Sequence, residues 1–231
     1  MAKTAKQVRC QDRQRLVIVG TGEQAEIAYE YLSSDSQHDV VGFCVEEEYR
    51  EKNRLYDLPV VNFQQVSQTF PQNDHSAFVA VSHTNINQLR RRLYERIKSI
   101  GYQTISYISS NSLIDESVKV GENCFIFEGV TIQRKCRIGD GVSIWSGSTI
   151  AHRSELSDFV SVAPEVSVAG FSEVGRLSFL GTNSTVADNI HIGANVLLGA
   201  GAVAISDLPS GNVFVGNPAE AIGKTSEYRT E

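Results

Sequence analysis

His152 lies in the stretch IWSGSTIAHRSEL, residues 144–156, with Arg153 directly after it. Imidazole is the side chain best suited to take up a proton near neutral pH, so a histidine set among cations is a candidate general base. A second stretch able to do chemistry is GTGEQA, residues 20–25, which follows the apolar run LVIV and opens a helical pattern. Glycines there let the backbone approach a ligand, and the first turn of a helix presents N–H groups to phosphate. Glu46 and Glu47 follow a second apolar run, VVGFCV, where a carboxylate can accept ribose hydroxyls. That combination also fits a dinucleotide such as NAD. Against it, the strand and helix alternation ends near residue 105, one half short of a dinucleotide fold.

The elements that must position these residues follow two different patterns. Up to about residue 105, short apolar strands alternate with helical spacings: LVIVG (16–20), EQAEIAYEYL (23–32), VVGFCV (40–45), PVV, FQQVSQTF, SAFVAVS and INQLRRRLYERIKSIGY. This is the alternation of a small parallel sheet with helices on its faces, a Rossmann-like unit. From Ile108 to Leu198 every sixth residue is Ile, Val or Leu, without a break in register. Four residues after each comes a small or β-branched residue, as at Ser112, Val118, Val130, Val142, Ser148 and Val160, with Cys124 and Cys136 in the same series. A six-residue period is the signature of a parallel β-helix, in which three short strands make one triangular coil and the aliphatics stack inward. Residues eighteen apart then lie about 4.8 Å from each other on adjacent coils.

This arithmetic puts His152 at a turn, two residues past the inward Ile150. Arg134 and Gly170 lie in its column, with Lys135, Arg153 and Phe171 alongside. Cations so close favour the neutral ring that a base requires. A solvated surface histidine among solvated charges is the plainer alternative. RRRLYERIK (90–98) reads as the solvated face of an amphipathic helix, and Trp145 as an outward position suited to subunit packing.

Composition narrows the classes. The formal charge of −6 argues against a sequence-independent grip on nucleic acid. The apolar runs are too short for a bilayer-spanning helix, and the basic start MAKTAKQVRCQDRQR lacks the apolar segment of a secretory signal. The four cysteines, Cys10, Cys44, Cys124 and Cys136, form no CxxC pair, which suits reduced thiols in the cytoplasm. No metal is expected: a zinc site of the hexapeptide kind needs three converging histidines, and His152 and His191 sit at incompatible offsets.

GTGEQAEIA, the unbroken hexapeptides, IWSGSTIAHRSEL, the coil FLGTNSTVADNIHIGANVLLGAGA and the ending GNVFVGNPA together resemble the bacterial nucleotide-sugar acyltransferases of the NeuD/PglD type. The resemblance runs from about residue 14 to the end. It implies a left-handed β-helix, a homotrimer, acetyl-CoA as acyl donor and a nucleotide-linked sugar as acceptor. His152 matches the histidine that removes a proton from the acceptor as it attacks the thioester. Ser161, Thr182 and Ala200 match contacts to acetyl-CoA along the groove between adjacent β-helices. Gly20, Gly22, Glu23 and Gln24 match the turn that holds the sugar nucleotide, and Glu46 a contact to its base or ribose. The chain departs from the pattern at Arg153, where the family carries an acidic residue or a second histidine. Ser161 stands for a frequent histidine, Val45 and Glu46 for aspartates, and Glu220 for a basic residue.

The expected fold is α/β plus β: a flexible tail (1–14), a Rossmann-like nucleotide-sugar-binding domain (15–104), a left-handed parallel β-helix (105–206) and a C-terminal loop and tail (207–231). The expected activity is N-acetylation of a nucleotide-linked amino sugar for surface polysaccharide or glycan synthesis. A sugar O-acetyltransferase and a noncatalytic nucleotide-sugar-binding or scaffold trimer remain alternatives.

Overall fold

The computed structural model describes residues 14–227. The expected tail and Cys10 lie almost wholly outside them.

Leu16, Val17, Ile18 and Val19 are apolar on both faces and fully buried, which makes β1 (Gln14–Val19) the central strand of a five-stranded sheet. The other elements of this unit are α1 (Glu23–Ser34), β2 (His38–Val45), β3 (Arg54–Leu55), β4 (Leu58–Asn62), α2 (Val66–Thr69), β5 (His75–Val79) and α3 (Gln88–Ser99). The strand order is β3-β4-β2-β1-β5, and all pairs are parallel except the short β3 against β4. Even residues of β1 pack with Ala25, Ala28 and Leu32 of α1; odd residues pack with Leu93 and Ile97 of α3. The chain leaves β1 toward β2 on one side and reaches β5 on the other. The crevice beyond the carboxyl ends of these strands is therefore a topological switch point, where open α/β sheets bind ligands.

From Tyr107 the chain winds as the expected β-helix. Each coil contributes two-residue strands to three faces. The first face runs from Tyr107–Ile108 through Ser143–Ile144 and Ser161–Val162 to Leu197–Leu198; the second from Leu113–Ile114 through Thr149–Ile150 to Val203–Ala204; the third from Lys119–Val120 through Glu155–Leu156 to His191–Ile192. Pairing such as Ser143 with Ser161 and Ile150 with Val168 confirms the eighteen-residue step. The inward aliphatics form one continuous core, which also takes up the thiols of Cys124 and Cys136. Turns recur with the same six-residue period: from Asn123 to Gly201 every sixth residue is left-handed, with φ between 53° and 75°. Asn123, Asn183, Asn189, Asn195 and several glycines suit that conformation; Arg153 and Phe171 do not.

The segment after residue 207 is more ordered than a loop and tail. Asn212–Val215 lies parallel to Leu197–Leu198 and extends the first face, and Glu220–Lys224 returns antiparallel to it. No helix of the described residues is long and apolar enough to cross a membrane.

The Rossmann-like unit sits on the first face, held by polar clasps. Asn123 accepts the Val79 N–H at 2.7 Å and donates to the Val79 carbonyl at 3.1 Å. Asn87, fully buried at the start of α3, donates to the carbonyl of Ser178 and accepts from Arg90 and Ser161. Tyr31 donates to Glu128, and Lys98 pairs with Glu122 at 2.6 Å.

Candidate functional site

At the switch point lies a cavity of about 340 Å³ lined by Gly20, Thr21, Gly22, Val45, Glu46, Tyr49, Lys52, Phe63, Val81 and Leu89 among others. Gly20 has φ +127°, and a Cβ there would stand 2.5 Å from the Ala80 carbonyl oxygen, so only glycine fits between β1 and β5. Gly22 differs. A Cβ on it would meet nothing within 4 Å, so the protein leaves open space in front of the first turn of α1. Glu23 is exposed and lines neither this cavity nor the next; Gln24 turns into the next.

Glu46 is nearly buried, and its carboxylate is held by two arginines of α3. Oε1 accepts from Arg92 at 2.7 Å and from Arg96 at 2.6 Å, while Oε2 accepts from Arg92 at 2.7 Å. The Arg92 hydrogen bonds, with the two positive charges, hold this carboxyl below its ordinary value. Oε2 keeps one acceptor position. Arg96 also covers the Phe63 ring at 4.1 Å. The arginines of RRRLYERIK therefore do more than solvate a helix face.

A second cavity, about 260 Å³, lies between the Rossmann-like unit and the first face of the β-helix. Gln24, Ser82, His83 and Arg90 line it from one side; Ser143, Trp145, Ser161, Ala163, Pro164, Phe179 and Thr182 line it from the other. Two residues expected to touch acetyl-CoA, Ser161 and Thr182, thus share a cavity with Gln24, expected to touch the acceptor. Ala200 is exposed one coil beyond Thr182 at the same corner. Ser161 is almost fully buried: its hydroxyl donates to Asn87 at 2.7 Å and accepts from Arg90 at 2.8 Å. Trp145 stacks on Phe127 of its own chain, centroids 4.3 Å apart at 10°, and so forms a wall of this cavity where subunit packing was expected.

Arg90 is buried with no carboxylate of the described residues paired to it; its hydrogen bonds go to Asn87, Ser161 and the Phe159 carbonyl, and burial pushes its pKa down to about 10. Sequence reading missed it, although the signal was present: Arg90, Leu93 and Ile97 share the i, i+3, i+7 stripe that α3 buries. His83, also unassigned from sequence, tilts over Phe179 at 4.6 Å. Burial, reinforced by the Arg90 cation, lowers its pKa and favours the neutral ring.

His152 lies elsewhere. It is exposed at the corner between the second and third faces, the corner opposite the first face of the triangular coil. Its backbone N–H donates to the Gln133 side chain at 3.0 Å. Its ring stands nearly perpendicular to Phe171, centroids 5.2 Å apart, and Arg153 lies over the same Phe171 ring at 5.5 Å. Among the described residues no set of three or more His, Cys, Asp or Glu side chains gathers as metal ligands.

The chain thus joins a parallel sheet with a switch-point cavity to a hexapeptide β-helix. A family match and solved structures agree with this architecture. Residues 117–152 match the bacterial transferase hexapeptide (six repeats) family. The structure matches a histidine-to-asparagine variant of perosamine N-acetyltransferase from Caulobacter crescentus, solved with CoA and GDP-perosamine, with TM-score 0.82 and 27% identity over 90% of this chain and 97% of that one. It shares its fold with the acetyltransferase domain of PglB from Neisseria gonorrhoeae, solved with acetyl coenzyme A, at TM-score 0.80 and 22% identity, covering 91% of this chain and 100% of that one. It also shares the fold of WeeI from Acinetobacter baumannii at TM-score 0.77 and 20% identity, covering 90% and 99%. No curated protein sequence matches the chain. The NeuD/PglD-type likeness read from the motifs, with its left-handed β-helix, is borne out.

Proposed function

We propose that the protein is an acetyl-CoA-dependent acyltransferase that N-acetylates an amino sugar carried on a nucleotide, with His152 as general base. The observation that carries this is the two-domain likeness, over nearly the whole of both chains, to a sugar N-acetyltransferase solved with CoA and a nucleotide sugar. The switch-point cavity takes the nucleotide: Gly20, Gly22 and the backbone N–H groups of the first turn of α1 face the diphosphate, and Glu46 offers its remaining acceptor position to the ribose or base. The sugar extends past Gln24 into the interdomain cavity. Acetyl-CoA reaches the same cavity along the β-helix over Ala200, Thr182 and Ser161.

His152 is on the corner opposite that cavity, so a second copy must bring its own His152 there. Such a contact joins different surfaces of the two partners, and it either closes into a ring or grows without limit. A closed homotrimer supports three equivalent sites. In each, the amine attacks the thioester carbonyl while the neutral imidazole takes the proton that the nitrogen loses. Collapse of the tetrahedral intermediate breaks the C–S bond, and the imidazolium returns that proton to the departing thiolate. An amine is strongly nucleophilic once neutral, so a histidine followed by Arg153 suits nitrogen better than oxygen. Both substrates are cytoplasmic metabolites, which favours a cytoplasmic enzyme supplying an acetamido sugar for a glycan or surface polysaccharide.

The test is CoA release from acetyl-CoA with UDP-, dTDP- and GDP-linked amino sugars and their hydroxy counterparts. Turnover with an amino sugar is expected, and His152→Ala should lower kcat about a hundredfold or more while leaving fold and assembly intact. Equal turnover in that variant removes His152 from the mechanism. Preference for the hydroxy sugar overturns the choice of nitrogen, and no turnover on any acceptor favours a noncatalytic binding protein.

A further inference from the structure

We propose that Gly170 and Phe171, one coil beyond His152, are positioning residues that seat its ring. The inference rests on His152 being the base, and it explains how the ring is oriented where the following residue is Arg153.

Gly170 is a glycine for space alone. Its backbone is outside the left-handed region, so the conformation does not demand it, yet a Cβ built there would stand 2.4 Å from Cε1, 2.9 Å from Nδ1 and 3.0 Å from Nε2 of His152. All three of the nearest atoms belong to that one ring. The sequence makes the same point. At the same turn position, every six residues from Glu122 to Ala200, a side chain is present at Glu128, Arg134, Asp140, Ser146, Asp158, Pro164, Arg176, Thr182, Asp188 and Ala194. Within this series the glycine falls only where the residue one coil below is His152.

Phe171 supplies the wall. It is 51% exposed and held at φ 58°, a conformation that costs a bulky residue energy. Its counterparts Phe159 and Leu177, equally left-handed, are repaid by burial beneath the Rossmann-like unit. Asn189, one coil further on, shows what the turn accepts without strain. What Phe171 gains instead is the His152 ring across it at 81° and the Arg153 guanidinium over it. No hydrogen bond from the described residues of the same chain reaches either ring nitrogen, so the imidazole is oriented by packing, with its Cε1 edge on Gly170 and Phe171 beside it.

Two variants test the seat in the full-length protein, using acetyl-CoA and the best amino-sugar acceptor found above, with His152→Ala as control. Gly170→Ala displaces the ring without straining the backbone and should lower kcat about tenfold to a hundredfold, the scale of a misplacement of roughly 1 Å. Phe171→Asn should lower kcat about tenfold, hold or raise the melting temperature, and keep both KM values within about twofold; Phe171→Tyr should restore kcat. In both damaging variants the His152 ring proton resonances, identified by their loss in His152→Ala, should shift. Unchanged kcat and ring resonances in Gly170→Ala and Phe171→Asn, with His152→Ala inactive, overturn the seat and leave the base standing. Loss of assembly in Phe171→Asn assigns that residue to a subunit contact and also overturns the proposal. An active His152→Ala fails the underlying mechanism instead.

Discussion

Glu46→Gln removes the charge that ties the end of β2 to α3, directly under the switch-point cavity. In the native protein the carboxylate accepts three bonds from Arg92 and Arg96, each 2.6 or 2.7 Å long. A carboxamide keeps one acceptor oxygen and turns an NH2 toward guanidinium donors, so at least one of these bonds is lost and the remainder lose their charge. Hydrogen bonds to charged groups contribute about 1.5–3 kcal/mol each. Arg92 is 52% exposed and Arg96 36%, so water replaces much of what they lose, and the net cost is about 2 kcal/mol. For a chain of this size that is a fall in Tm of roughly 4–8 °C at pH 7. The cost must also depend on pH. Folding lowers the Glu46 pKa from its ordinary 4.5, so its stabilisation is fully present above that value and is lost as pH falls through the depressed folded pKa. Urea unfolding of both proteins at pH 7 and in steps down to pH 3 measures this directly. A difference that stays constant from pH 7 to pH 3, or that is absent at pH 7, would refute the assignment of the ion pair as the source.

Gly22→Val should raise KM for the nucleotide sugar at least about tenfold and leave CoA affinity within about twofold, because the added side chain enters space that no protein atom fills; weakened CoA binding with intact nucleotide-sugar binding would reverse the assignment of the two cavities. Burial pushes the Cys44 and Cys124 thiols up to about 12 and raises Cys136 as well. In a Cys10→Ser background, thiol titration with a disulfide reagent at pH 8 should therefore proceed only at the rate of unfolding, and rapid native reaction would contradict the packing of these residues. Light scattering at micromolar concentration should give the mass of three chains, since a monomer cannot bring His152 to the interdomain cavity.

Much of the molecule was legible because repetition encodes it locally. A six-residue period needs no partner to be recognised: each inward aliphatic repeats the geometry of the one before, so Ile144, Ile150 and Leu156 already fix the corner on which His152 stands. GTGEQA was readable for a similar reason, since a strand, a tight turn and a helix lie within one short stretch. What the sequence could not show were relations between residues far apart in the chain. Arg90 looks like one more surface cation beside Arg91 and Arg92, and only docking of α3 on the first face buries it against Asn87 and Ser161. Glu46 looks free for a ribose until Arg92 and Arg96 are brought over it. Gly170 is an ordinary turn glycine in one dimension; stacking one coil on the next sets it under the ring of His152, because an eighteen-residue step along the chain is a single strand spacing in space.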